Sequence, residues 1–391
     1  MPATEERLFT PGPTPLPPSV RAILGRPILH HRTSDFQTVL ARVTAGLMQL
    51  FETRQPVLTL TASGSAAMEA AVVNLASPGE SVGVLTAGKF GERWSQIARA
   101  YGLRVIELTR PWGSAFTAED AERFFDKEGS EVALVFVTHS ETSTGVLHDL
   151  PGIAAAARTR GKILVADAIT SLGVHPVSFD AWGLGAMVAG SQKGLMLPPG
   201  LAFVALSDVA WERARKASLP RFYLDLNRAR ASLNKNSTPF TPAVPLVLGL
   251  EEALRLVEQE GKDAVHARHA RHAAACRAAV SAMGLSLFTS SPSNGLTAVR
   301  APDGKDTQEV VTALREKKGM RIAGGQEPMK GKLFRLGHMG HYRDDDIRDL
   351  VGALEEILRE LGWVGANDAV ARADAVLAST GAKPEPAGGT R

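Results

Sequence analysis

Ala186-Met187-Val188-Ala189-Gly190-Ser191-Gln192-Lys193-Gly194 runs from an apolar segment into a small polar turn and ends on a lysine followed by glycine. A short apolar run closed by such a turn reads as a buried strand, with Lys193 just beyond its end. Upstream, Lys162-Ile163-Leu164-Val165-Ala166 reads as a second buried strand and runs directly into Asp167. An amine and a carboxylate therefore both stand where strands stop. In an open α/β sheet that edge is where ligands bind.

The same pattern extends outward from these two segments. Residues 57–61, 81–86, 104–109, 132–138 and 201–206 are further strand candidates, and 66–75, 93–101, 118–126 and 152–159 are helix candidates between them. Strand and helix in alternation predict an α/β unit with a mainly parallel seven-stranded sheet covered on both faces. After Pro242 the pattern changes. Two long amphipathic helices, 244–259 and 262–283, join near Gly261. Short strands at 285–288, 295–300, 319–323 and 332–336 follow, with helices at 307–317 and 344–361. This predicts a smaller C-terminal α+β domain. The division expected is an N-terminal arm at 1–20, a large domain at 21–255, a small domain at 256–378 and a disordered tail at 379–391. The proline-rich opening, Phe9-Thr10-Pro11-Gly12-Pro13-Thr14-Pro15-Leu16-Pro17-Pro18, forms neither regular helix nor central strand, and composition alone favours disorder there.

Composition narrows the function classes. With 44 basic and 41 acidic residues, the net charge of +3 is too small to make nucleic acid or an anionic membrane the expected partner. The single cysteine, Cys276, excludes an internal disulfide framework and a cysteine-cluster metal site, so no metal is expected. No apolar run has the length of a signal peptide or a membrane span, and the final tripeptide is not a peroxisomal signal; the expected location is cytoplasmic.

Other segments point to the edge that carries Lys193 and Asp167. Thr61-Ala62-Ser63-Gly64-Ser65-Ala66-Ala67-Met68-Glu69 ends a strand, turns through small residues and opens an Ala-rich helix. Backbone N–H groups at a helix start, with two hydroxyls, can cradle a phosphate; a serine N-cap without a ligand reads the same way. Thr138-His139-Ser140-Glu141-Thr142-Ser143-Thr144-Gly145 gathers hydroxyls after another strand. Phe90, in Ala87-Gly88-Lys89-Phe90-Gly91-Glu92-Arg93, offers a ring for stacking on a flat heterocycle or for packing in the core. Arg335 lies inside the apolar Leu333-Phe334-Arg335-Leu336-Gly337, where it needs either an external carboxylate or an internal acidic partner. His266, His269 and His272 read as a solvated helix face, and Cys276 as packing. Nucleotide-binding glycine loops are missing. A lysine amine and a carboxylate together suit pyridoxal phosphate, whose aldehyde the amine can hold and whose ring nitrogen the carboxylate keeps protonated.

These blocks resemble the class V aminotransferases of pyridoxal-phosphate fold type I, most nearly the alanine–glyoxylate and serine–pyruvate (serine–glyoxylate) enzymes. The resemblance runs in order from Pro11-Gly12-Pro13 through Asp167-Ala168-Ile169-Thr170-Ser171-Leu172-Gly173 and Gly190 to Gly200, then Thr241-Pro242, to Arg335. It implies pyridoxal 5'-phosphate as cofactor, with Lys193 as the Schiff-base lysine and Asp167 as partner of the pyridine nitrogen. Ser63, Gly64, Ser65 and Gln192 would hold the phosphate. Phe90 would stack on the ring, Thr142 would lie near it, and Arg335 would clamp the substrate carboxylate. Thr238 and Thr241 would reach the phosphate of a neighbouring subunit in a homodimer with shared active sites. Two positions depart from the usual pattern, which often has His where Ser65 stands and Tyr where Thr238 stands. The resemblance also implies an ordered N-terminal arm lining the site. The implied reaction moves an amino group from alanine or serine to glyoxylate or pyruvate by a ping-pong sequence. The alternatives are another class V enzyme: a 2-aminoethylphosphonate or hydrogenase-associated aminotransferase relative, or a cysteine desulfurase or lyase.

Overall fold

The computed structural model of the chain describes residues 6–365 and 368–379. Its centre is a seven-stranded sheet built from β1 (Leu58–Ala62), β2 (Ser81–Thr86), β3 (Arg104–Thr109), β4 (Leu134–Thr138), β5 (Ile163–Asp167), β6 (Ala186–Gly190) and β7 (Gly200–Leu206), in the order β1-β7-β6-β5-β4-β2-β3. All seven strand segments anticipated from the sequence lie in it. Only β7 runs antiparallel to its neighbours; the other pairings are parallel.

Alternation along each strand explains the two covered faces. Leu134 and Phe136 of β4, Val165 of β5 and Val188 of β6 enter one buried cluster with the helices Gly64–Leu75, Lys89–Ala100 and Asp208–Lys216. Val135 and Val137, Leu164 and Ala166, and Met187 and Ala189 enter the other, with the helices Ser34–Phe51, Ala118–Asp126, Leu150–Thr159 and Val244–Glu260. A sheet buried on both sides needs near-continuous apolar strands, so it tolerates a buried charge only where a strand ends. Asp167 is such a group. It closes β5 opposite Thr138 of β4 and Val188 of β6.

The C-terminal region forms a separate antiparallel sheet, with β8 (Leu296–Arg300) and β9 (Ala323–Gly324) flanking β10 (Leu333–Gly337). A third apolar cluster joins it to the helices Lys262–Ala282, Thr307–Lys318, Asp344–Glu360 and Ala369–Ser379. Residues 285–288 do not form a strand; Leu287 makes one isolated bridge to Val299. The segment 319–323 breaks into Met320–Arg321 and Ala323–Gly324. Ser379, placed in the tail by composition, ends a helix, and residues 380–391 lie outside the described residues.

Two expectations from composition are overturned. The proline-rich opening is ordered. Arg7–Leu8 pairs in parallel with Met320–Arg321, the Gly337 N–H donates to Phe9 O at 2.7 Å, and the Phe9 ring stacks on Tyr342. Proline lacks an N–H, but its carbonyls still accept, and docking along another strand supplies what the segment cannot make internally. The histidine row on helix Lys262–Ala282 is not a solvated face. His269 and His272 are fully buried, because this helix packs against the helices of the C-terminal core. His272 Nε2 meets Asp344 Oδ1 at 2.9 Å, and His269 Nε2 accepts the Gly340 N–H at 2.9 Å. Cys276 is buried as packing, with its thiol pushed up to about 12 by burial. Among the described residues no helix is long and apolar enough to cross a membrane.

Candidate active site

The turn after β6 presents Lys193. Ser191 fastens it by donating its hydroxyl to Pro198 O at 2.7 Å and accepting the Leu201 N–H at 3.2 Å. Lys193 is buried. Its amine donates to Pro11 O, and the Thr14 hydroxyl donates to Lys193 O at 3.1 Å. The N-terminal arm therefore closes over the lysine. Gly12 makes this approach feasible: a Cβ there would stand 2.5–2.7 Å from Lys193 Nζ, Cδ and Cε, and its φ of +114 lies where side chains are strained. Burial, and then the Arg335 charge, lower the Lys193 pKa to about 8, although Asp167 works the other way. At neutral to mildly alkaline pH this amine has a usable neutral fraction, which both a nucleophile and a general base require.

Asp167 is the second buried charge. One carboxylate oxygen accepts the Ile169 N–H at 2.7 Å. Burial raises its pKa to about 7; the Ile169 bond opposes this and the nearby Glu141 reinforces it. Beside it, the Thr142 and Thr170 hydroxyls meet at 2.6 Å.

Arg335 comes from β10 of the C-terminal sheet. Its guanidinium donates to Thr142 O at 2.8 Å and to Gly324 O at 2.7 and 3.1 Å. Every hydrogen-bond acceptor it has is a main-chain carbonyl, so the internal acidic partner considered from sequence is absent among the described residues. Burial lowers its pKa to about 10 and Glu141 partly offsets that. A buried guanidinium without a carboxylate partner is set to receive an anion, and a carboxylate fits its planar fork.

At the other end of the site, Ser63 occupies the N-cap of helix Gly64–Leu75, yet its hydroxyl makes no cap bond. The plain capping role thus fails, and that hydroxyl and the helix N-terminus are left for an anion. Gln192 Oε1 is buried with no partner. Ser65 is engaged by Arg93, whose Nη1 donates to its hydroxyl at 2.9 Å. The Arg93 guanidinium also lies 4.7 Å from the centroid of the half-buried Phe90 ring.

The structure gathers Lys193, Asp167, Thr142, Arg335 and Phe90 at the carboxyl ends of β2, β4, β5 and β6, with Ser63, Gly64, Ser65 and Gln192 at its β1 side. Thr238 and Thr241 do not join them in this chain. The Thr238 hydroxyl is spent on Phe240 O at 2.8 Å, and Thr241 is exposed on a segment whose Ala243 N–H donates to Thr61 Oγ1 beside the outer strand β1. The resemblance put an ordered N-terminal arm along the site, as observed, but sequence reasoning did not single out Pro11 and Gly12 as the roof over Lys193, and it missed Arg93 behind Ser65 and Thr170 against Thr142. Arg93 was detectable in principle, since it lies one helical turn after Phe90; no local signal marks a carbonyl that folds back from residue 11. A groove of about 720 Å³ lies elsewhere, between helices Ser34–Phe51 and Val244–Glu260, and none of these residues lines it.

Comparison with known proteins agrees with this geometry. The family model "Aminotransferase class-V" matches residues 21–343. The chain is 43% identical over 360 residues to the "Soluble hydrogenase, small subunit" of Synechococcus sp. (strain PCC 6716), covering 91% of this chain and 94% of that protein. It is 34% identical over 366 residues to the L-aspartate–glyoxylate aminotransferase of Paracoccus denitrificans, covering 92% of each. The crystal structure of an alanine–glyoxylate aminotransferase from Nostoc sp. superposes with a TM-score of 0.88 at 31% identity, covering 92% of this chain and 97% of that one. An α/β fold with a lysine, a carboxylate and a free helix N-terminus at one sheet edge defines the class of pyridoxal-phosphate transferases of fold type I. Within that class, the chain belongs to the class V aminotransferases, and its cofactor is pyridoxal phosphate.

The residues present fit that cofactor. The uncapped Ser63 hydroxyl and the helix N-terminus provide donors for a phosphate. The amine, carboxylate and ring provide for an aldehyde, a ring nitrogen and a flat heterocycle.

Proposed function

We propose that this enzyme transfers an amino group from a small amino acid, alanine or serine, to a small 2-oxo acid, glyoxylate or pyruvate, in two half-reactions of ping-pong type. The observation that carries this reading is Arg335: buried, held by carbonyls, and lacking a carboxylate that the substrate can supply. The acceptor reading draws on the two relatives described above, whose names share glyoxylate although their donors differ. The burial of Lys193, Asp167, Thr142 and Arg335 leaves the reacting end of the site enclosed, as suits a short side chain.

In this reading Lys193 would hold the cofactor aldehyde and Asp167 its ring nitrogen. Ser63, Gly64, Ser65 and Gln192 would hold the phosphate, with Phe90 against one face and Thr142 beside the ring. When bound, pyridoxal phosphate withdraws the electron pair released at the substrate α-carbon. Arg335 fixes the substrate carboxylate by two-point contact and thereby aims the α-hydrogen. Lys193, once free, takes that proton and returns it, as its lowered pKa allows. The Pro11–Gly12 segment keeps water from the amine. Thr238 and Thr241 would complete the phosphate site of a neighbouring subunit in a homodimer. The exposed Phe222 and Tyr223, which pack with Phe240 beside them, supply an apolar surface for that contact. Residues 21–255 would form the cofactor-holding domain and 256–378 the domain that brings Arg335.

A half-reaction panel tests the assignment. Single amino acids are added to the loaded enzyme and formation of its aminated cofactor is followed by absorbance. Alanine or serine should convert it fastest; conversion by aspartate alone would overturn the choice of donor. The desulfurase alternative is disfavoured by Cys276, which is buried with a raised pKa and so is neither mobile nor ionised. The similarity to a hydrogenase subunit is set against a chain with one cysteine, in which the described residues contain no group of three or more His, Cys, Asp or Glu placed to hold a metal ion.

A further inference from the structure

Glu141 has no role in the scheme above, yet it is among the most deeply buried acidic side chains of the protein. It lies just after β4, in a two-residue strand, Ser140–Glu141, that pairs antiparallel with Val146–Leu147, between the hydroxyl-rich residues that drew attention in the sequence. We propose that Glu141 is a positioning residue: its carboxylate fixes the Gly88–Gly91 turn, and with it the Phe90 ring. The proposal rests on the reading of Phe90 as the ring that stacks on the cofactor.

The geometry is specific. The carboxylate accepts the Phe90 N–H at 3.1 Å, the Gly91 N–H at 3.0 Å, and both the N–H (3.1 Å) and the hydroxyl (2.5 Å) of Ser143. Ser143 in turn accepts the Lys89 N–H at 3.1 Å. Three successive amides, Lys89 to Gly91, therefore end on one carboxylate or on the hydroxyl attached to it. The turn lies directly against it: a Cβ on Gly88 would come within 2.5–2.7 Å of Glu141 Cγ and Cδ and of Ser143 Oγ. Backbone N–H groups cannot accept a proton, so this set of donors matches the ionised carboxylate. Burial pushes the Glu141 pKa up, and these same bonds oppose that shift.

Arg335 has only carbonyl partners, one of them on Thr142, the residue next to Glu141. Glu141 is the acidic group whose field favours the Arg335 cation, and its field also helps keep Asp167 from ionising. The turn and the arginine are tied by a further route. Lys89 forms an ion pair with Glu327, in the loop that begins at Gly324, whose carbonyl takes the other side of the guanidinium. One buried carboxylate thus anchors the turn that carries the ring and stands next in sequence to the residue whose carbonyl holds the guanidinium.

Glu141→Gln keeps the shape but turns an NH2 group toward backbone N–H donors. Measured on the holoenzyme, the expected results are a cofactor dissociation constant raised roughly 10- to 100-fold, the scale of losing hydrogen bonds to a charged group, and faster amide exchange confined to the peptide covering 88–93. Combined with Phe90→Leu, the losses should not multiply, since both act through the same ring. An unchanged dissociation constant and exchange rate, or fully multiplicative losses in the double variant, would overturn the proposal. If Glu141→Gln does not fold, Ser143→Ala carries the same readouts, with about a three- to tenfold expected effect, and no change there overturns it equally. Phe90→Leu alone judges the stacking reading separately: cofactor affinity unaltered in that variant, with 88–93 still destabilised in Glu141→Gln, would remove Phe90 from the cofactor and leave the anchor standing.

Discussion

Two groups of buried polar side chains in this protein differ in what satisfies them. At the seam between helices Lys262–Ala282 and Asp344–Glu360, His272 finds Asp344, Arg271 finds the same Asp344, and His269 takes the Gly340 amide. At the edge of the large sheet, Lys193 and Arg335 reach only carbonyls, Gln192 Oε1 reaches nothing, and Asp167 holds a single amide. In the first group every side chain has a polar partner within the chain, although Arg271 Nε and His272 Nδ1 are buried without one, and the group behaves as structure. The second is left incomplete, at a cost in stability, and an aldehyde for Lys193, a ring nitrogen for Asp167 and a substrate carboxylate for Arg335 would complete it. Unbalanced burial, more than burial itself, distinguishes the site.

Perturbing each group should show the contrast. The largest effect belongs to Lys193→Ala, which removes both the covalent attachment point and the base: amino-acid half-reaction rates should fall by at least about 1,000-fold. Stopped-flow absorbance checks this, and substantial turnover would break the assignment. Arg335→Lys retains a charge but loses the fork. KM for the amino acid should rise roughly 10- to 100-fold with a smaller change in kcat; an unchanged KM would mean that the substrate carboxylate binds elsewhere.

Asp167→Asn sharpens the comparison by separating function from stability. In the apoprotein Asp167 has a folded pKa of about 7 against an ordinary value of 3.8. Its contribution to stability is therefore fully present below about pH 4 and is lost as pH rises to about 7. The asparagine variant, which cannot ionise, should be more stable than wild type at pH 8 in the apo form, by an amount on the order of 2–4 kcal/mol, while losing most activity when loaded. Thermal melts of the two apoproteins between pH 5 and pH 8 test this. A difference that shrinks with rising pH would show that burial does not govern this carboxyl. The smallest catalytic effect belongs to the closed group. His272→Ala should cost about 2 kcal/mol of stability and leave kcat/KM within about twofold; a large change in KM would show that the seam communicates with the site.

Much of the large sheet was legible because parallel strands buried on both faces have to be apolar throughout. Residues 132–138 and 186–189 can hardly be read otherwise, and the observed strands fall within a residue or two of the expected positions. Lys193 and Asp167 were legible for the same reason: a charge that directly follows such a run must sit at its end. Residues 285–288 misled because a short apolar segment packs equally well as a loop carrying one bridge. The histidines on 262–282 misled because helical spacing shows which residues share a face, not which neighbour covers it. The N-terminal prolines misled because composition counts donors a segment lacks and ignores carbonyls that another element can use.

The chain by itself determined where strands lie, which charges stand at their ends and which turn could receive a phosphate, since these follow from local sequence and from the cost of burying polar groups. Tertiary structure alone decided that Pro11 roofs Lys193, that Arg335 finds no acidic partner, and that Glu141 collects the amides around Phe90. Each of these joins residues from 50 to 193 positions apart. Contacts over such separations are set by how the sheets and helices dock, and no periodicity or spacing in a single sequence encodes them.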